Sequence, residues 1–386
     1  MNIAYVTHTR FPTEKAHGHQ IARVCAAMQH LKHTVTLVTP NIFTDIRQVP
    51  EKYYHLKKSI HVQKLPIFDA LSSPFVPGFL AFHFSMASYR KSLKAFFASQ
   101  KFDVLYVRSP SIVSVLVKTK IPVLLELHEI PKRNQKNFVV QCNLCKKVVC
   151  LTVPMRDALV SLGVRPKKII VEGDAVDLER FASPPTPTEA KHHFNLPEDT
   201  KIIGYVGSFV TRDKVEKGVQ ILIDALVTLR KSGENVHGFF VGGPQHWAQR
   251  YRKIALAKGL TDNDMTFHGM VPSKLVPDAI AACDVCVYPA PVPKHAFFKR
   301  DTSPLKLYEY FAVGVPVVCA DIPPLHGLIT KNIVKLVHPG SVSSLAGGIA
   351  NVLSNPTDAK KRSSAAKTFV KNYTWEKRMQ RIFDAL

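Results

Sequence analysis

Acidic residues are scarce in this 386-residue chain, where 29 Asp and Glu stand against 52 Lys and Arg for a formal net charge of +23. A deficit of that size excludes a near-neutral surface and favours anionic partners: phosphorylated small molecules, nucleic acid or an acidic membrane face. It is not confined to a tail. Residues 1–180 carry 26 basic and 12 acidic side chains and residues 181–386 carry 26 and 17, so both halves are basic.

Long apolar runs are lacking too. The opening MNIAYVTHTRFP has no cationic segment leading into an apolar one and passes straight into a strand pattern, so no signal peptide and a cytoplasmic location are expected. Ala70–Tyr89 contains no charged residue, but its two prolines and four serines make it a poor spanning helix, which needs about 20 mostly apolar residues. A disulfide framework is also missing: seven cysteines is an odd number in a chain without a secretion signal, and reduced thiols are expected. Cys142 and Cys145, with Cys150 close behind, have the spacing of half a zinc site, but no second CxxC or HxxxH accompanies them. They read as packed thiols. The Asp-x-Asp of TDND, residues 261–264, precedes a strand and reads as a turn. No metal and no cofactor are expected.

What is present is a regular alternation. The length exceeds one hydrophobic core, and a hydrophobic fraction of 46% supports globular folding. Short β-branched runs alternate with helical patterns throughout: NIAYVTH, TVTLVTP, DVLYVRS, PVLLELH, KVVCLT and KIIVEG, then KIIGYVGS, HGFFVGG, MTFHGMV, DVCVYPA, PVVCADI and NIVKLVH. That pattern predicts an α/β fold of two doubly wound, Rossmann-like domains facing across a cleft. Residues 181–200 collect four prolines and little apolar periodicity, and the boundary is placed there. The domains expected are 1–180, 181–370 and a closing helix over 371–386. Trp375, Met379, Ile382, Phe383 and Leu386 share one face of that helix, which is expected to dock, with the first domain as the candidate. Ligands of open parallel sheets bind beyond the carboxyl ends of the strands, so motifs with chemistry should follow strands.

One such motif is DTSPLKLYEYFAVGVPVV, residues 301–318. Ser303 suits an N-cap and Pro304 a first helical position, with the helix running through Phe311 to a stop near Gly314 and Pro316. The first-turn amides and the helix dipole favour an anion such as a phosphate. Asp301 and Glu309 would flank it, and carboxylates accept hydrogen bonds from sugar hydroxyls. A nucleotide-sugar has that order of groups. An ordinary capped helix with acids near its N-terminus explains the same residues. A second motif, GYVGSFVTRDKVEKG at 204–218, follows a strand with Arg212, Lys214 and Lys217, cations that suit a diphosphate or serve only solubility.

The order YVGS…KG, FFVGGP, FHGMVPSKLVPDAIAACDVCVYP and DTSPLKLYEYFAVGVPVV resembles the donor half of the group 1 (family 4) retaining glycosyltransferases of GT-B architecture. The resemblance covers residues 200–330, with weaker support from HGHQIARVCAAMQHLKHTVTLVTP and the YTWE helix. It implies a first domain on the acceptor side and a second that binds the nucleoside diphosphate sugar. It implies that Asp301 contacts the donor sugar, Glu309 the ribose, and the backbone at Ser303, Pro304 and Leu305 the diphosphate. The family's first acid is a glutamate, one methylene longer than Asp301. Lys217 matches the phosphate-binding lysine, and Arg212 stands in for an arginine whose usual place is taken by Ser208. Gly18, in the loop after the first strand, matches one of two glycines near the diphosphate. His128 matches a histidine facing the donor sugar, with Glu129 expected to orient it. The resemblance implies chemistry without an essential metal.

Phe79, Phe82, Met86, Tyr89, Leu93 and Phe96 recur at helical spacing among Arg90, Lys91 and Lys94. Core packing explains the stripe; a surface for membrane or lipid, extended by Lys132, Arg133, Lys136, Lys146 and Lys147, is the functional alternative. The expectation is a retaining hexosyltransferase-type enzyme at the inner membrane face, using a glycan or lipid-linked acceptor. A nucleotide-sugar epimerase and a non-catalytic binder of the same fold are the rivals. Nucleic acid is not favoured, because aromatic and basic residues are not concentrated together.

Overall fold

The computed structural model describes residues 1–69, 77–211 and 213–386. The chain forms two units: Met1–Gly173 together with Trp375–Leu386, and Asp174–Thr374.

The first unit is built on a parallel sheet of β1 (Asn2–Val6), β2 (Thr34–Pro40), β3 (His61–Leu65), β4 (Val104–Val107), β5 (Val123–Leu127), β6 (Lys147–Cys150) and β7 (Ile169–Val171), in the order β3-β2-β1-β4-β5-β6-β7. β1, β4 and β5 are buried along almost their whole length. Continuous apolar runs suit strands covered by helices on both faces. β3 was not among the expected strands. Its sequence HVQKL has three polar residues among five, which suits a half-exposed edge.

The second unit has a six-stranded parallel sheet of β8 (Lys201–Val206), β11 (Val236–Val241), β12 (Met265–Gly269), β13 (Val285–Tyr288), β14 (Val317–Ala320) and β15 (Lys335–Val337), ordered β12-β11-β8-β13-β14-β15. A small antiparallel hairpin of β9 (Val210–Thr211) and β10 (Val215–Glu216) follows β8. Every expected strand is found, and the hairpin is additional. In both sheets the first strand lies beside a strand reached only after two others, which creates a switch point where loops diverge.

The units divide at Gly173, earlier than the proline-rich stretch. Residues 181–200 are not a free linker: Phe181, Ala190, Phe194 and Leu196 are buried in the second core. The prolines start local structure instead, as at Pro187, which opens the helix Pro187–His193 behind a capping box of Thr186 and Glu189. The closing helix Trp375–Asp384 belongs to the first unit and buries Trp375, Met379 and Ile382.

In the helix Gly78–Ser99, Met86, Tyr89 and Leu93 are core residues and Phe96 packs against that core, whereas Phe82 is exposed. Phe79's side chain and residues 70–76 lie outside the described residues. No helix among those described is long and apolar enough to cross a membrane. The TDND turn is held by Asp264, whose carboxylate accepts from Thr261 N at 2.8 Å and pairs with Arg230 at 2.9 Å. All seven cysteines are buried and free.

Candidate functional site

In the second unit, β8 is followed by Gly207, and the helix Val219–Lys231 is entered through Lys217 and Gly218. Gly218 has φ +85°, and a Cβ there would meet Pro289 O at 1.2 Å, so the loop can press against the end of β13 only with glycine at 218. This fixes the backbone that carries Lys217. Its ammonium lies 5.6 Å from the Phe297 ring centre, and burial lowers its pKa to about 8.

The helix Leu305–Val313 starts one residue later than expected. Pro304 is its N-cap, and no side chain caps it. Ser303 Oγ is turned away and accepts from Asp174 N at 2.7 Å. The expected serine cap is therefore absent, because the hydroxyl is engaged at the start of the second unit. Among the described residues no N-cap side chain takes the first-turn amides, and Leu307 N alone of them turns back to Pro304 O at 3.0 Å, which leaves room for an anion there. The helix ends at Gly314, in the left-handed region with φ +91°.

Lys306, in that first turn, was not foreseen as a functional side chain. It is 8% exposed, its ammonium lies 3.7 Å from the Tyr205 ring centre, and it donates to the Tyr205 hydroxyl. Its stem passes under Gly207, where a Cβ would come within 2.8 Å of Lys306 Cε. Burial, then the charge of Lys217, pushes its pKa well down. Among the described residues neither lysine has a carboxylate within ion-pair distance. Two ammonium groups partly withdrawn from water, with Glu309 as a more distant opposing charge, could accept an anion as a direct partner. A lysine in the first turn of the largely apolar LKLYEYFAV helix was the available signal.

The two acids are placed differently. Asp301 is largely buried at the end of a short helical turn, Phe297–Asp301, and accepts from Arg300 Nε at 2.8 Å. Glu309 is about a quarter exposed and lies 3.9 Å from Arg180. Burial raises its pKa, opposed by Arg180 and Lys306. Arg180, also missed, is braced by two hydrogen bonds to Ser273 O, at 3.1 and 2.5 Å. Leu305 is half-buried. Arg212 lies outside the described residues, and Lys214 is exposed.

In the first unit, Gly18 is not in a loop. It sits in the first turn of the helix Ala16–His30, where a Cβ would come within 2.7 Å of Thr13 O. Close packing, not a positive φ, requires glycine there. His128 follows β5, and the carboxylate paired with it is that of Glu126, not the exposed Glu129: Nε2 donates to Glu126 Oε1 at 2.7 Å. The reason is strand alternation, since residues 126 and 128 point to the same side. Glu126 is fully buried, also accepts from Gln20 Nε2 at 2.7 Å and from the Tyr106 hydroxyl, and pairs with the fully buried Arg378 at 3.2 Å. Although burial alone would raise its pKa, Arg378 and the hydrogen bonds hold it well below the ordinary carboxylate range.

Burial, then the charge of Arg108, depresses His8, His17 and His128 from the ordinary 6.5 to about 4. Between those values the unfolded chain binds protons that the folded chain does not. Stability is therefore fully present above pH 6.5 and is lost as pH falls towards 4. Urea denaturation should give a lower midpoint at pH 5 than at pH 7, with each histidine contributing on the order of 1 kcal/mol after solvent screening. His128→Asn should shrink that difference, and an unchanged difference would refute the assignment.

A model of the family described as glycosyl transferases group 1 matches residues 188–369, and one described as glycosyltransferase family 4 matches residues 18–180. TuaC of Bacillus subtilis (strain 168), assigned by name to teichuronic acid biosynthesis as a glycosyltransferase, is 30% identical over 177 residues, 45% of this chain and 39% of that protein. LpsB of Rhizobium meliloti (strain 1021), a lipopolysaccharide core biosynthesis mannosyltransferase, is 28% identical over 169 residues, 43% of each. The chain spans less than half the length of these curated relatives. Among solved structures, Anabaena HepE in complex with UDP-glucose superposes with TM-score 0.70 at 20% identity, covering 100% of this chain and 98% of that one. At that identity the likeness is one of fold.

Proposed function

Since the chain belongs to the group 1 and family 4 glycosyltransferases, whose models match its two successive parts, and has a GT-B fold, we propose that it transfers a sugar, with retention, from a nucleoside diphosphate sugar to an acceptor hydroxyl. The observation that carries this reading is the uncapped start of the helix Leu305–Val313, with Lys217 and Lys306 converging nearby and Asp301 and Glu309 to either side of its first turn. Amides and ammonium groups suit a diphosphate, and carboxylates suit the hydroxyls of the two sugars it joins.

In the mechanism this supports, the bond from the sugar's anomeric carbon to the diphosphate breaks while a bond to the acceptor oxygen forms on the same face. The acceptor proton passes to the departing phosphate oxygen. Lys217, Lys306 and the first-turn amides stabilise the negative charge that develops on the leaving group. Asp301 and the backbone at Ser303, Pro304 and Leu305 hold the donor, and Glu309 takes the ribose. His128, neutral at physiological pH, serves as a hydrogen-bonding group towards the transferred sugar. HepE was solved with UDP-glucose, which makes a uridine nucleotide the first donor to try.

The names of TuaC and LpsB point the acceptor towards a cell-envelope glycan, soluble or lipid-linked. Phe68 (66% exposed), Phe84 (55%) and Leu80 (43%) give the first unit apolar groups suited to an anionic membrane surface, alongside the exposed Lys91, Lys94, Lys132, Arg133, Lys136 and Lys146.

The test is a thermal-shift panel of nucleoside diphosphates and nucleotide-sugars. A ligand at 100 times its dissociation constant stabilises the native state by about 2.7 kcal/mol. At least one uridine, guanosine or other nucleoside diphosphate should raise the melting temperature, and Glu309→Gln should weaken that response. A panel that leaves melting unchanged would remove the donor site. Isomerised donor recovered without any acceptor would show an epimerase instead.

A further inference from the structure

Three adjacent strands of the first sheet each deliver a nitrogen-bearing side chain just past their carboxyl ends: His8 after β1, Arg108 after β4 and His128 after β5. Neighbouring strands are about 4.7–4.9 Å apart, so these positions can reach one small ligand. The cluster is held together by protein contacts. His8 N donates to Ser109 Oγ at 3.2 Å and its ring bonds the same hydroxyl, while Arg108 Nε donates to Gln20 Oε1 at 2.7 Å. Gln20 is anchored in turn on Glu126.

The charges do not balance. Glu126 is already matched by Arg378, which leaves Arg108 with a neutral amide on one edge. Among the described residues no acceptor takes its two terminal nitrogens and no carboxylate pairs with it. Arg108 is half-buried, so its charge is partly desolvated without compensation. A guanidinium oriented through Nε, with its remaining NH groups unclaimed, matches an oxyanion in a forked geometry. Beside it the surface turns apolar: the Phe82 ring stands edge-on to His8 at 6.4 Å, and Phe82 and Phe84 are exposed.

We infer that this edge recognises a phosphate group carried by the acceptor, with Arg108 binding the phosphate and His8 offering a hydrogen bond to a neighbouring hydroxyl. The inference rests on the transferase reading in taking the first unit as the acceptor side. A phosphorylated sugar and a lipid phosphate present the same group to Arg108, and the apolar helix start beside the cluster favours the lipid.

The test uses the full chain with two probes, glucose 6-phosphate and phosphatidylcholine vesicles containing phosphatidate, with glucose and pure phosphatidylcholine vesicles as neutral counterparts. Arg108→Gln should weaken binding of at least one phosphate probe by roughly tenfold or more, the size expected for a charge-assisted contact. Arg108→Lys should keep part of it. Loss confined to the vesicles assigns a lipid phosphate, and loss with glucose 6-phosphate assigns a soluble one. Equal binding by wild type and Arg108→Gln, or no binding of either probe by wild type, would overturn the inference. Nucleoside diphosphate binding is measured on the same proteins. Its absence in wild type would sink the transferase reading, whereas its retention alongside a failed phosphate test would sink this inference alone.

Discussion

Lys306→Met is expected to melt at a higher temperature than the wild-type protein and to lose donor turnover by about 100- to 1,000-fold, the range found when one group stabilising a developing negative charge is removed. The two effects share a cause. Lys306 is a buried ammonium with an aromatic ring and a hydroxyl for company, and among the described residues no carboxylate pairs with it. Methionine fills a similar volume without a charge to desolvate, and such replacements are often neutral or stabilising. If the diphosphate is the missing counter-charge, the penalty in the free protein is relieved on binding. Strain of this sort is held at functional sites because removing it removes function.

The pH dependence separates this account from a structural one. Burial pushes the Lys306 pKa well down, and a bound diphosphate would draw it back up, so binding should take up a proton over the pH range between the two values. Calorimetry in buffers of different ionisation enthalpy measures that uptake. It should fall in Lys306→Met, with any remainder assigned to Lys217, whose pKa is about 8. Full turnover in Lys306→Met would refute the role whatever its melting temperature.

Arg378→Ala should destabilise the first unit by about 3–5 kcal/mol, the cost of leaving a buried carboxylate unpaired. Arg378 and Glu126 are both fully buried, 252 residues apart in sequence, and Arg378 also donates to Gly173 O at 2.6 Å. The pair therefore ties the closing helix to the centre of the first sheet. Urea denaturation followed by a first-unit probe measures the loss. The double variant Glu126→Gln/Arg378→Met should recover part of it, because a neutral pair no longer buries a lone charge. The linkage of stability to pH has the same sense as that of Lys306 in the free protein, because both groups have folded values below their unfolded ones. Glu126 is depressed below the ordinary carboxylate value of about 4.3, so its contribution is complete above that value and is lost as pH falls through its lowered folded value. Destabilisation below about 1 kcal/mol in Arg378→Ala would show the pair to be incidental.

The segments of the proposed donor side could be named before folding. Glu309, Lys217 and the anion-favouring helix start belong to short segments whose turn residues and periodicity are local. The errors were local geometry overruled from a distance. Ser303 has the chemistry of a cap, but Asp174 N reaches its hydroxyl, and Gly18 looks like a loop glycine until Tyr54 and Thr13 close around it. Glu129 is adjacent to His128 in sequence, but alternation along the strand turns Glu126 to the histidine's side.

The residues in order sufficed for two parallel α/β units, a basic field and the stretches that could carry chemistry, because apolar periodicity, turn formers and charge are properties of neighbours along the chain. Partnership across the fold was beyond them. That Lys306 points into the interior beneath Gly207, that Arg378 meets Glu126 and that, among the described residues, no acid pairs with Arg108 all follow from which strand lies beside which. A strand's sequence records how much of it is buried, and sheet order supplies the charges it is buried against.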